Sequence, residues 1–185
     1  MEETAARIVP NILSLAGVDP SGGAGLLADI KTISALGGYA CGAVTALTVQ
    51  NTRGVSGVRI MSGDFVSAQM ESVLSDIRID AVKIGMLGNC EVIEAAAGIL
   101  REHPVKHVVL DTILASTSGT PLLEPEAVGV LIRKLLPLCT VFTPNLPEAA
   151  ILLGDETPAD EGGMENTARR LWNLAGCGPT VYLKG

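Results

Sequence analysis

Aromatic side chains are nearly absent from this chain: one Trp, two Tyr and two Phe make up 3% of its 185 residues. That excludes a base-stacking platform and requires an aliphatic core of Leu, Ile, Val and Ala. Charge is scarce as well, at 18%, and its sign is wrong for nucleic acid. The net charge is −7 and no Lys/Arg cluster stands ready to meet a phosphate backbone. No apolar run approaches the ~20 residues of a membrane span. The acidic opening Met1-Glu2-Glu3-Thr4 lacks the positive n-region of a secretory signal.

Cysteine is limited to Cys41, Cys90, Cys139 and Cys177, widely spaced and without a Cys-x-x-Cys pair. Neither a disulfide framework nor a zinc site is expected, and buried reduced thiols are the default. His103 and His107 flank Pro104, so they share no helix face and read as surface residues near a strand start. These absences leave a cytoplasmic chain with neither nucleic acid nor membrane as partner. With 48% apolar residues, 1–185 reads as a single domain with one substantial core.

What the chain does have is alternation. The apolar run Ile8–Leu15 predicts a strand, and Ala24–Leu36 carries apolar residues at helical spacing. Between them Ala16–Asp29 reads Ala-Gly-Val-Asp-Pro-Ser-Gly-Gly-Ala-Gly-Leu-Leu-Ala-Asp. Its glycines allow positive φ and close approach of a ligand, and Asp19 or Ser21 can cap the helix. On pattern alone the stretch is equally an ordinary glycine-rich turn, since it matches no general phosphate fingerprint.

Further along, strands are predicted at Tyr39–Thr48, Ala81–Met86, His107–Leu110, Thr140–Thr143 and Thr180–Leu183. The cluster Val49–Gly54 is expected to end the second strand. Val55–Met61, a short extended piece, is open to two placements, in the main sheet or outside it as part of a lid. Helices are predicted at Phe65–Ile77 with Asp64 as N-cap, at Glu91–Glu102, at Pro125–Leu136, from Asn145 to Leu153, and at Asn166–Ala175. Thr112–Glu124 and Gly154–Gly163 read as loops. Such alternation implies βαβ units and a mainly parallel sheet with helices on both faces, and ligands then bind beyond the carboxyl ends of the strands. Asp19, Gln50, Met86, Asp111 and Asn145 each follow a predicted strand, so they share one rim.

Five phrases stand in order: 16–29 as quoted, Thr-Val-Gln-Asn-Thr-Arg-Gly-Val (48–55), Ile-Asp-Ala-Val-Lys-Ile-Gly-Met-Leu (79–87), Val-Val-Leu-Asp-Thr (108–112) and Thr-Pro-Asn-Leu-Pro-Glu-Ala (143–149). Together they closely resemble hydroxymethylpyrimidine/phosphomethylpyrimidine kinase, a thiamine-biosynthesis family of the ribokinase-like superfamily. The resemblance runs from about Ile12 to Gly185. It implies a ribokinase-like α/β fold and phosphoryl transfer from ATP, with Mg²⁺, to 4-amino-5-hydroxymethyl-2-methylpyrimidine and then to its monophosphate.

Carried over position by position, the resemblance makes Gln50 the reader of the aminopyrimidine edge, since an amide offers both donor and acceptor. It places Gly17, Asp29, Thr48 and Met86 on the substrate side. Asp111, Asn145, Glu148 and Lys184 match residues beside the triphosphate, with Asp111 and Glu148 near its magnesium. Plainer readings stay open. Met86 suits strand-end packing, Asp29 suits a first helical turn, Asn145 with Glu148 has the spacing of a capping box, and Lys184 suits a solvated end. The resemblance also implies a homodimer.

Two departures stand out. Where many relatives have Ala-Lys-Ser-Gly this chain has Ser116-Thr117-Ser118-Gly119, without the basic residue. Family members also continue past the position of Gly185 to a Gly-Thr-Gly-Cys-type turn that supplies an anion hole and the catalytic residue. The expectation is therefore the first two-thirds of such a kinase, with the catalytic residue beyond Gly185 and no cysteine inheriting that role. Two alternatives remain: a kinase for a related ring such as pyridoxal, and a non-catalytic pyrimidine-binding fragment.

Overall fold

The computed structural model describes residues 9–115, 121–157 and 160–185. The expectations for Ile8 and for Ser116–Gly119 lie outside them. The chain runs β1 (Asn11–Val18), α1 (Gly25–Ala35), β2 (Tyr39–Asn51), β3 (Gly54–Ile60), α2 (Gly63–Leu74), β4 (Ala81–Ile84) and α3 (Cys90–Glu102). It continues β5 (His107–Leu110), α4 (Ala127–Val130), β6 (Val141–Phe142), α5 (Leu146–Leu153), α6 (Glu161–Leu174) and β7 (Thr180–Val181). The strands form a sheet in the order β3-β2-β1-β4-β5-β6-β7. Neighbours are parallel except β2 and β3, an antiparallel hairpin at the edge.

Side-chain alternation along the strands sorts the two faces. Leu13 and Leu15 of β1 are fully buried in a cluster with Val66 and Met70 of α2, Ile93 and Ala96 of α3, Ala127 of α4, Leu152 of α5 and Leu171 of α6. Ser14, between them, turns the other way and bonds Asp29 of α1. Gly42 of β2 repeats the pattern. A Cβ there would sit 2.9 Å from Leu26 of α1, whereas its neighbours Cys41 and Ala43 belong to the main cluster. Among the described elements α1 thus covers one face over β1 and β2, and α2 to α6 pack on the other.

The order turns at β1. The chain leaves it for β2 on one side and later returns to β4 on the other. The carboxyl ends of β1 and β4 therefore flank the topological switch point, where open α/β sheets hold their ligands.

Several expectations are corrected. The second strand does not end before Val49, because the ladder to β3 carries it through Asn51. That pairing also puts 54–60 inside the sheet and removes the lid placement. Ser62, not Asp64, caps α2, its hydroxyl accepting from the Phe65 N–H. The predicted helix at Pro125–Leu136 is broken up: α4 passes into a π-helical turn, Leu131–Leu135, and a 3₁₀ turn, Leu136–Leu138. Pro137 lies at the start of that last turn and has no N–H to continue the α ladder. α6 begins at Glu161 with Asp160 as its cap, five residues before the expected start. The four cysteines are free, as expected, but Cys177 is exposed and Cys90 half-buried; only Cys41 and Cys139 are buried. Burial pushes the Cys139 thiol up to about 12, so that thiol is inert.

Candidate active site

The glycine loop is built around one carboxylate. Asp19 follows β1 and is nearly inaccessible, at 4% exposure. It accepts from the Ser21 N–H at 2.8 Å, the Ser21 hydroxyl at 2.9 Å, the Gly23 N–H at 3.2 Å and the Ala24 N–H at 3.0 Å. Burial alone would raise its pKa, but the bonds from Ser21, Ala24 and Gly23 outweigh burial and hold it below the ordinary aspartate value. Those N–H groups are therefore committed to Asp19. Neither capping candidate caps α1, whose N-cap is Ala24 without a side-chain bond; Asp19 organises the loop before the helix instead.

Gly25 locks the loop onto the sheet. It has φ +58° and bridges to Val18, and a Cβ there would lie 2.2 Å from the Gly17 carbonyl oxygen. Gly17 in turn leaves room for Met86, whose Sδ would be 3.1 Å from a Cβ at that position. Backbone of β1, glycine loop and Met86 meet at the switch point in direct contact.

A cavity of about 370 Å³ opens there. Gly17, Thr48, Gln50 and Met86 line one end, and Asp111, Asn145, Glu148 and Lys184 line the other. Eight of the nine expected site residues thus meet in one space. Asp29 does not. It lies in the second turn of α1 and its Oδ2 accepts from Ser14 Oγ at 2.7 Å and Lys83 Nζ at 2.9 Å, below the cavity. Asp29 joins α1 to β1 and β4. A second cavity of about 470 Å³ lies between the glycine loop and the hairpin tip 50–55, and shares Asp19, Ala24, Gln50 and Val55 with the first.

At the first end, the Thr48 hydroxyl donates to the Val18 carbonyl at 2.9 Å and lies 3.1 Å from the Gln50 amide. A hydroxyl has one proton. With that proton on Val18, the Gln50 Oε1 that faces Thr48 has no donor there; turning the amide end for end puts its NH₂ against Thr48 and leaves the carbonyl for the cavity.

The other end is held by side chains. Asn145 caps α5, accepting from the Glu148 N–H at 2.8 Å, and Glu148 Oε2 accepts from the Asn145 N–H at 2.8 Å. This is the capping box written in the sequence. Thr112, fully buried, adds a hydroxyl bond to Glu148 at 3.3 Å. Burial pushes the Glu148 carboxyl up, bonding from Asn145 and the Lys184 charge pull it down, and the neighbouring Asp111 charge adds to the rise; the net shift is upward. Lys184 is paired with Asp111 Oδ1 at 2.9 Å, and its backbone N–H is tied to the Pro144 carbonyl beside Asn145. It is a fixed rim residue rather than a solvated end.

Sequence reasoning missed Val55, which lines the cavity, and Thr112. Thr112 sits beside a recognised aspartate, but its bond to Glu148 spans 36 positions and leaves no local signal.

The model of the family described as phosphomethylpyrimidine kinase matches residues 19–185. The chain is 51% identical over 175 residues to the hydroxymethylpyrimidine/phosphomethylpyrimidine kinase of Escherichia coli (strain K12), covering 95% of this chain and 65% of that protein. It thus spans just under two thirds of that curated relative's length. A phosphomethylpyrimidine kinase structure from Clostridium difficile 630 superposes with TM-score 0.86 at 40% identity, over 95% of this chain and 75% of that one. The pyridoxal kinase of Staphylococcus aureus in complex with pyridoxal gives TM-score 0.84 at 32% identity, over 96% of this chain and 65% of that one.

Proposed function

The chain belongs to the phosphomethylpyrimidine kinase family, and from that premise we infer that it serves phosphorylation of 4-amino-5-hydroxymethyl-2-methylpyrimidine and of its monophosphate in thiamine biosynthesis, with ATP as donor. The observation that carries this reading is the single cavity with an amide end and a charged end. Phosphoryl transfer needs positioning and charge neutralisation more than covalent chemistry. The Gln50 carbonyl accepts from the ring's exocyclic amine, Met86 and Gly17 offer an apolar wall to the ring, and Lys184 faces the phosphate oxygens. Asp29 supports the pocket from below rather than touching the ring.

The charged end fits a magnesium ion by the chemistry of its donors. Asp111 and Glu148 supply hard carboxylate oxygens. Among the described residues, their hydrogen bonds fall on Asp111 Oδ1 and Glu148 Oε2, which leaves the second oxygen of each for the ion or its water. When bound, the ion would supply neutralisation of the triphosphate charge. A homodimer is the assembly that the family resemblance implies, and exposed Leu47 and Val49, on one face of the β2–β3 hairpin, offer apolar surface for it. No helix among the described residues is long and apolar enough to cross a membrane.

The test is calorimetric titration with the pyrimidine alcohol, its monophosphate and pyridoxal in parallel. Coupled ADP release with Mg-ATP follows for each ligand that binds. The expected result is saturable binding of both pyrimidines and weaker binding of pyridoxal, whose ring lacks the amine edge. Preference for pyridoxal would move the assignment to the related ring, and no binding of either pyrimidine would overturn it.

A further inference from the structure

β2 makes an irregular pair with β1. Ala16 is opposite Val44 and Gly17 is opposite Ala46, so Thr45 is an extra residue in β2 with no partner across the ladder. Bulges of this kind re-aim a side chain beside a functional site. Thr45 is fully buried, and its hydroxyl reaches past β1 to donate to the Met86 carbonyl. That carbonyl lies beyond the last residue of β4, Ile84, where the ladder supplies no donor. A buried carbonyl without a donor is costly. At the same level Thr45's own carbonyl accepts from the Met61 N–H just past β3, so both edges of β2 are fixed there.

The geometry points to Thr45 as a positioning residue for the pyrimidine end: through the Met86 carbonyl it holds the Met86 thioether against Gly17, as the wall of the cavity. Met86 and Leu122 also line a separate, mainly apolar cavity of about 230 Å³ that includes Ile60 and Pro125. Met86 released from Thr45 has that space to move into, and the ring loses its wall. The bulge thus sets which side of Met86 the ring meets. This inference rests on the pyrimidine reading above for its ligand, but not for its geometry.

The test compares Thr45→Val, which keeps shape and loses the donor, with Thr45→Ser, which keeps the donor. The first readout needs no ligand. With ¹³C-methyl methionine labelling, the chain's five methionines are resolved by NMR, and Met86→Leu assigns the Met86 signal. Thr45→Val is expected to shift that signal and Thr45→Ser to leave it near the wild-type position. The second readout is pyrimidine affinity, expected to fall about tenfold in Thr45→Val and to be regained in Thr45→Ser. An unmoved Met86 methyl in Thr45→Val overturns the proposal whatever the ligand does. So does a moved methyl with wild-type affinity. A wild-type chain that binds no pyrimidine overturns the functional reading instead, and the methyl signal still decides whether Thr45 places Met86. If Thr45→Val does not fold, Thr45→Cys, a weak donor of similar size, takes its place with the same two readouts.

Discussion

The two ends of the cavity are built by different means. At the ring end the backbone does the shaping: Gly17, Gly25, the Thr45 bulge and a loop whose N–H groups are consumed by Asp19. At the charged end side chains hold one another, Glu148 with Asn145 and Thr112, and Lys184 with Asp111. A backbone-built end is intolerant of added atoms. A side-chain-built end tolerates truncation but answers to pH and to ions.

The sharpest way to break the ring end is therefore one methyl group. Gly25→Ala puts a Cβ 2.2 Å from a backbone oxygen, at a φ of +58° where L side chains are rare. No flexible atom can give way, so the loop has to leave the sheet. We expect a loss of about 4 kcal/mol or more, read as a collapse of the melting transition. A melting temperature within a few degrees of wild type would mean that the loop is not tied to β1 as described.

Gln50→Ala is next in size, and it tests what the shaped end is for. The side chain is half-buried and its described partner is Thr48, so stability should hardly change. Pyrimidine affinity should fall about a hundredfold with the loss of the carbonyl acceptor, which leaves the ring's amine unpaired in the pocket. Calorimetry reads both ligand affinity and competence, and wild-type affinity would remove Gln50 from the pocket.

Much of the difference between the two ends was legible beforehand, for physical reasons. The capping box is local. Asn145 and Glu148 are three residues apart, and the sequence alone puts them on one helical turn. The alternation of strand and helix is equally local, and so is the placement of Gln50, Met86 and Asp111 at strand ends. What escaped is non-local. Asp29 finds its ammonium partner 54 positions away on β4, and no spacing rule draws it off the cavity. Ser62 and Asp64 are both good caps, and the deciding neighbour is Glu91 of α3, which takes the Gly63 N–H at 2.7 Å. The bulge at Thr45 exists only in the register between two strands, so a residue of ordinary strand type carries no sign of it. Likewise β2 extends through polar Gln50 and Asn51 because β3 pairs with them, whereas composition argues for an earlier end.

The charged end is sharpened by pH. Burial raises the Glu148 carboxyl above the ordinary value of 4.5. Folding then takes up a proton in the window just above pH 4.5. The contribution to stability is fully present below that value and is lost as the pH rises through the folded-state pKa. Glu148→Gln keeps an acceptor for the Asn145 N–H and cannot titrate. The melting temperature of wild type relative to Glu148→Gln should therefore be highest at acid pH and fall toward neutrality. Mg²⁺ at neutral pH should stabilise wild type more than the variant, since a bound cation favours the ionised carboxylate. A difference that does not change with pH would show that burial leaves this group unperturbed.

Lys184 separates architecture from function most cleanly. Its ion pair with Asp111 is partly exposed, with side-chain exposures of 39% and 32%. Such pairs are worth about 0–1 kcal/mol, because water screens the charges and two side chains are held in one geometry. The backbone of Lys184 is fixed independently through Pro144, so Lys184→Met should melt within about 2–4 °C of wild type. If the ammonium faces the triphosphate, the same change should weaken ATP binding by about tenfold or more, with charge-assisted bonds lost to phosphate oxygens, and leave pyrimidine affinity alone. Gln50→Ala should give the reverse pattern. Loss of ATP binding in both variants, or in neither, would mean that the amide end and the charged end are not the two halves of one reaction site.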